Sequence, residues 1–244
     1  MPPMGLARRP AGRHASLTAR AGLVLLVALA GLLVASRLQT PPAVRTIAVG
    51  RAPTAVGVDA RIRRVFVANY GAATVTMLDA ASGTVLATIA VAPHPSALAL
   101  ATSTGRVFVV SDHVTLDDAG RVSVLDATSG RRLRTVAVCR GAHLLAVHER
   151  TGRVFVTNGG DASVSVLDAT SGRILRTLPL DLVPTAMAMD ERTGRVLLAG
   201  VSLDQRSLAG LSLLDARSGT VLRTVPMGTL AGAIAVDGSR RPGH

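Results

Sequence analysis

Arg64-Val-Phe-Val-Ala-Asn69 decides how this chain is read, because the stretch returns three times. It reappears as Arg106-Val-Phe-Val-Val-Ser111, Arg153-Val-Phe-Val-Thr-Asn158 and Arg195-Val-Leu-Leu-Ala-Gly200. Each copy is followed by a second recurring segment: Val75-Thr-Met-Leu-Asp-Ala80, Val122-Ser-Val-Leu-Asp-Ala127, Val164-Ser-Val-Leu-Asp-Ala169 and Leu211-Ser-Leu-Leu-Asp-Ala216. A period of this length signals one supersecondary unit stacked on copies of itself.

Working outward from Arg64, the unit resolves into four short strands. Thr54–Val58 alternates small and apolar residues. Val65–Ala68 is apolar on both faces, as expected of a strand sandwiched between layers. Val75–Leu78 is the third strand and Val85–Val91 the fourth. Between them lies Asp79-Ala-Ala-Ser-Gly83, where Asp can bond the local backbone and Gly can take a positive φ. The same turn recurs at Asp126–Gly130, Asp168–Gly172 and Asp215–Gly219. Four antiparallel strands per unit predict an all-β fold, a β-propeller of four-stranded blades.

Val-Phe-Val-Ala-Asn-Tyr70 and Val-Phe-Val-Thr-Asn158 resemble the signature of the YVTN-repeat, YncE-like propellers. The Leu-Asp-x-x-Ser-Gly turns and the Pro53-Thr-Ala, Pro95-Ser-Ala and Pro184-Thr-Ala strand starts are similar to that family too. The resemblance covers residues 44–237. It implies an extracytoplasmic propeller, often of seven blades and mostly without a defined activity. Relatives with similar blades include lactone-hydrolysing, haem and copper enzymes, and fold likeness does not carry their chemistry across.

Four complete blades are expected here. Thr46–Gly50 matches Thr88–Val91 and is predicted to be an orphan fourth strand; Gly232–Asp237 is predicted to be an orphan first strand. The pattern fits a truncated propeller, a five-bladed closure through the two orphans, or completion by self-association, since terminal repeats need a cap or a partner. Arg64, Arg106, Arg153 and Arg195 are 42, 47 and 42 residues apart, so the second and fourth blades carry longer loops between their middle strands.

Residues 1–36 read as a signal peptide or signal anchor. Arg8, Arg9, Arg13 and Arg20 precede the uncharged run 21–36, and small residues close it. As a helix, that run would span roughly 24 Å, short of a roughly 30 Å bilayer core. Residues 37–43 read as a linker and 238–244 as a tail. The protein is therefore expected outside the cytoplasm, secreted or held to the membrane by its N-terminal segment.

Every one of the 27 basic residues is Arg. Beyond residue 40 there are 22, set against 15 acids, and many precede the second strand. That position suggests a mild electropositive ring, or simply solvated turns. Nucleic acid is disfavoured as a partner, because the chain has no Trp, one Tyr and three Phe, and the Phe lie on core strands. The single Cys139 excludes an intrachain disulfide and a multi-cysteine zinc site. His148-Glu149 lacks the second His of a zinc-protease helix and falls on a turn. Asp112, Asp117 and Asp118 could hold a hard cation, although their spacing is not that of a calcium loop.

One constellation remains. The connections into the first strands ring one end of a propeller channel, and they bring His94, Cys139, Arg140, His143 and Asp181 to that rim. His, thiolate and carboxylate are transition-metal ligands, and His94 or His143 could act as a general base. Two functions are thus expected: a non-enzymatic exported scaffold binding a protein, polysaccharide or small ligand at the envelope, or a metal-dependent hydrolase or redox propeller using the rim. No cofactor, metal or catalytic residue is named by the sequence.

Overall fold

The computed structural model describes residues 45–112, 119–203, 208–229 and 231–236. The chain divides into residues 1–46 and a compact unit of residues 47–244. The expected signal, linker and tail lie outside the described residues, as do Asp117 and Asp118.

The repeats fold as four antiparallel sheets of four strands each, consecutive in sequence. Blade one is β1 (Pro53–Asp59), β2 (Arg64–Asn69), β3 (Thr74–Asp79) and β4 (Val85–Ala90). Blade two is β5 (Pro95–Ala101), β6 (Arg106–Ser111), β7 (Ala119–Asp126) and β8 (Arg132–Arg140). Blade three is β9 (Ala142–His148), β10 (Arg153–Asn158), β11 (Ser163–Asp168) and β12 (Ile174–Pro179). Blade four is β13 (Leu182–Asp190), β14 (Arg195–Ser202), β15 (Ala209–Asp215) and β16 (Val221–Met227). The architecture is a β-propeller of four blades.

Local chemistry explains the regularity. In the third-to-fourth-strand turn of blade two, Asp126 Oδ1 accepts the Thr128 and Ser129 N–H groups at 3.2 and 2.9 Å, and the Ser129 hydroxyl at 2.9 Å. Gly130 closes the turn at φ 71°, a conformation that costs a residue with a Cβ. Asp168 and Asp215 bond Ser171 and Ser218 in the same way. The Asn that ends the second strand is buried: Asn158 Nδ2 donates to Ser163 and Ser165 Oγ at 3.1 and 3.0 Å, and Asn69 Nδ2 donates to Thr74 and Thr76 Oγ1. These bonds tie the second strand to the third inside the blade.

Strand alternation sends opposite residues of each blade to opposite neighbours. Phe66, Val75 and Met77 of blade one pack on Val107, Val109 and Leu125 of blade two. Phe108 and Val124 then meet Val154 and Val156 of blade three, and Phe155 and Val166 meet Val196 and Leu198 of blade four. The three Phe residues are fully enclosed, as their place on the second strands requires.

The flanking segments depart from expectation. Residues 46–50 and 232–236 form no strand. With no ladder partner among the described residues, neither can satisfy its backbone as a strand does. Their placement still follows the repeat. The Ile47 side chain lies against Gly83, as Ile89 of the first blade's outer strand lies against Gly130 of the next blade. Thr185 Oγ1 donates to Ala231 O at 3.4 Å, as Thr54 Oγ1 donates to Pro95 O at 2.8 Å.

Candidate functional site

Each connection into a first strand places one carbonyl to receive the N–H of the residue that follows the second strand. Ala52 O accepts Tyr70 N–H, His94 O accepts Asp112 N–H, Gly141 O accepts Gly159 N–H and Asp181 O accepts Leu203 N–H, at 2.8 to 3.1 Å. His94 and Asp181 therefore occupy the same repeat position, on connections two blades apart. Ala52, His94 and Gly141 hold φ of 49°, 55° and 66°, so this position demands a left-handed backbone in three blades. The His94 ring stacks on Tyr70 with centroids 4.8 Å apart.

Of the other rim residues, Arg140 ties neighbouring loops together. Arg140 grips Asp161 through its backbone N–H at 2.7 Å, its Nε at 2.8 Å and its Nη2 at 2.7 Å. The Arg140 side chain is the first cause, and its backbone N–H the second, holding the Asp161 carboxyl below its ordinary value. His143 Nδ1 of blade three stands 3.7 Å from Asp112 Oδ2 beside blade two, beyond hydrogen-bond distance. Cys139 is a half-buried free thiol. Among the described residues no three of His, Cys, Asp and Glu gather closely enough to hold a metal ion.

The arginines before the second strands are largely engaged. Arg64, Arg106 and Arg195 pair with Asp79, Asp126 and Asp215 across the second and third strands, at 3.4, 2.8 and 2.7 Å. Arg61 reaches from blade one to Thr102 O of blade two, and Arg150 from blade three to the Glu191 and Arg192 carbonyls of blade four. The first three brace their own blades, and the last two bind blade to blade.

Two glutamates clasp in the reverse direction. Glu149 accepts Thr102 N–H and Ser103 N–H at 2.6 and 3.1 Å, and Glu191 Oε1 accepts Glu149 N–H at 2.9 Å. Burial pushes the Glu149 carboxyl up, but the bonds from Ser103 and Thr102 together outweigh it and hold it below its ordinary value. Beside this clasp is a cavity of about 260 Å³ where the first turn of blade three meets the two turns of blade four. His148 in its wall is 2 % exposed. The sequence reading weighed this histidine only as half of a zinc-protease motif and set it aside, because nothing in its repeat equivalents Asp59, Ala101 and Asp190 points to the neighbouring blade.

The fold, the repeat and the rim define a β-propeller repeat protein. The chain belongs to the family of outer membrane protein assembly factor BamB, which matches residues 21–240. None of the curated proteins matches it. Among solved structures it is similar to Kuenenia stuttgartiensis hydrazine synthase, with a TM-score of 0.62 and 16% identity over 76% of this chain and 52% of that one. It is also similar to dihydro-heme d1 dehydrogenase NirN in complex with DHE, with a TM-score of 0.59 and 17% identity over 77% of this chain and 40% of that one. The chain thus spans about half or less of either protein, and likeness at this identity shows the fold alone. Among the described residues no helix is long and apolar enough to cross a membrane.

Proposed function

We propose that this protein is an exported, non-catalytic scaffold of the cell envelope, a YVTN-repeat, YncE-like member of its family. It holds a partner protein against the rim formed by the connections into the first strands. The observation that carries this reading is the family match over residues 21–240, in a family described as an assembly factor of the outer membrane. The basic and then apolar run through residues 8–36 supports export. The rim chemistry supports binding over catalysis: Arg140 is held by Asp161, and His94 serves a backbone turn with its Nδ1 enclosed. Such residues shape a rigid surface, whereas a catalytic pair must keep a lone pair or proton available to substrate.

Two measurements on the full chain test the reading. Osmotic-shock fractionation of cells expressing it is expected to release the protein with the periplasmic fraction; retention in the cytosol overturns export. A photo-crosslinking residue at position 143 is expected to give a discrete adduct in those cells, while one at position 128, at the opposite end of the blades, gives none. Equal labelling at both positions, or none at 143, removes the rim as the binding face.

A further inference from the structure

His148 does more than its turn requires. Its Nδ1 accepts the Thr151 N–H at 3.2 Å and lies 2.9 Å from Thr151 Oγ1. In blade four Asp190 Oδ1 does the same work, accepting Arg192 and Thr193 N–H at 2.9 and 3.0 Å, and in blade one Asp59 Oδ1 accepts Arg61 N–H at 2.9 Å. A carboxylate suffices for the cap. The imidazole adds a second nitrogen, Nε2, beyond the turn, and His148 lines the cavity.

The state of that nitrogen follows from the first. A backbone N–H can only donate, so Nδ1 presents its lone pair and the neutral ring carries its hydrogen on Nε2. Nε2 is enclosed and has no hydrogen-bond partner. Neither has the enclosed Oε2 of Glu191, which stands 3.5 Å away. Glu191 is restrained by its other oxygen, which receives the Glu149 N–H at 2.9 Å. A donor and an acceptor thus lie side by side, each unmet, on two residues that line one cavity. Leaving such groups unsatisfied costs stability.

The group that satisfies both at once is one that accepts and donates through the same oxygen, which is a hydroxyl. A metal ion at Nε2 would need the lone pair that the Thr151 bond places on Nδ1 instead. The exposed guanidinium groups of Arg192 and Arg217 line the same cavity and make no hydrogen bond among the described residues. Planar donors of this kind match a carboxylate. The volume of about 260 Å³ suits a ligand of monosaccharide size.

We infer that this cavity binds an acidic sugar residue, with a hydroxyl bridging His148 Nε2 and Glu191 Oε2 from one side and the carboxylate on Arg192 and Arg217. The site lies at the end of the blades opposite the rim and does not depend on the scaffold reading.

Titration calorimetry on the full chain tests it with three probes: glucuronate, glucose and acetate. Glucuronate is expected to bind, and glucose (no charge) and acetate (no hydroxyl) to bind about tenfold more weakly or worse. His148→Asn keeps an oxygen able to cap the turn, as Asp does in blades one and four, and removes the Nε2 donor. It should keep the wild-type melting temperature within a few degrees and lose about tenfold in glucuronate affinity. Arg217→Ala, on an exposed turn, should lose a similar factor for glucuronate and leave the weak glucose binding unchanged. In the wild type, the His148 Nε2 resonance should shift on glucuronate addition. No glucuronate binding at millimolar concentration, equal binding of glucose, or unaltered affinity in both variants would overturn the assignment.

Discussion

The interfaces between blades and the outer faces of the first and last blades are built from the same repeat, yet they differ in what they bury. Val107 and Val109 of blade two are fully enclosed, whereas their equivalents Val65 and Val67 of blade one are half-buried. Phe155 is fully enclosed, while its equivalent Leu197 in blade four is half-buried. On β1, Val56 and Val58 are 66% and 57% exposed, although Leu98 and Leu100 at the matching positions of β5 pack against the preceding blade. The repeat writes an interface into every blade, but only a neighbour turns it into buried area. Stability in such a stack is the sum of blades and nearest-neighbour contacts.

Matched substitutions put this contrast at risk. Phe155→Ala should cost about 3–5 kcal/mol, and Leu197→Ala no more than about half of that, read from urea midpoints at constant m. Equal losses would mean that the outer face of blade four is covered in solution. Val109→Thr buries a hydroxyl between blades and should cost about 1–3 kcal/mol, whereas Val67→Thr should stay under about 1 kcal/mol.

Acid sharpens the comparison differently, since the turns are alike in all blades. In Asp126, Asp168 and Asp215 the N–H of Ser129, Ser171 or Ser218 lowers the carboxyl most; burial opposes it, and the serine hydroxyl adds to the lowering. A depressed folded value means stability that is present above the unfolded pKa of about 3.9 and lost as pH falls through the folded value. The melting temperature should therefore be level from about pH 7 to 5 and fall below about pH 4, with a shallower fall in the Asp126→Asn, Asp168→Asn double variant.

The rim should respond least. Arg140→Ala breaks a tie whose partners are 46% and 29% exposed, and should cost under about 1 kcal/mol. His94→Gly relieves a left-handed backbone and should be neutral or stabilising by up to about 1 kcal/mol in the same assay. A loss above that would show that the stacking on Tyr70 outweighs the backbone term.

How much was legible in advance depended on the range of the interactions. The Asp-x-x-Ser-Gly turns were readable because donor and acceptor lie within four residues, so the residues themselves state the geometry. Strand count, blade count and the enclosed Phe residues were readable because alternation and repetition carry the packing direction. The long connections of blades two and four were readable from spacing alone. The arginines were only half legible: composition displayed their charge, but not the aspartates opposite them or the carbonyls of the next blade.

Between the sequence and the tertiary structure, the division follows distance along the chain. The sequence by itself determined the repeat, the four-stranded blade and the turn chemistry, all local or periodic properties. Only the tertiary structure decided that His94 and Asp181 share a repeat position two blades apart, that Arg140 is tied to Asp161, and that His143 stands near Asp112. It alone brought His148 of one blade beside Glu191, Arg192 and Arg217 of the next. The physical reason is that blades meet face to face through residues about a full period apart, and no local pattern reports which side chains such a meeting leaves unsatisfied.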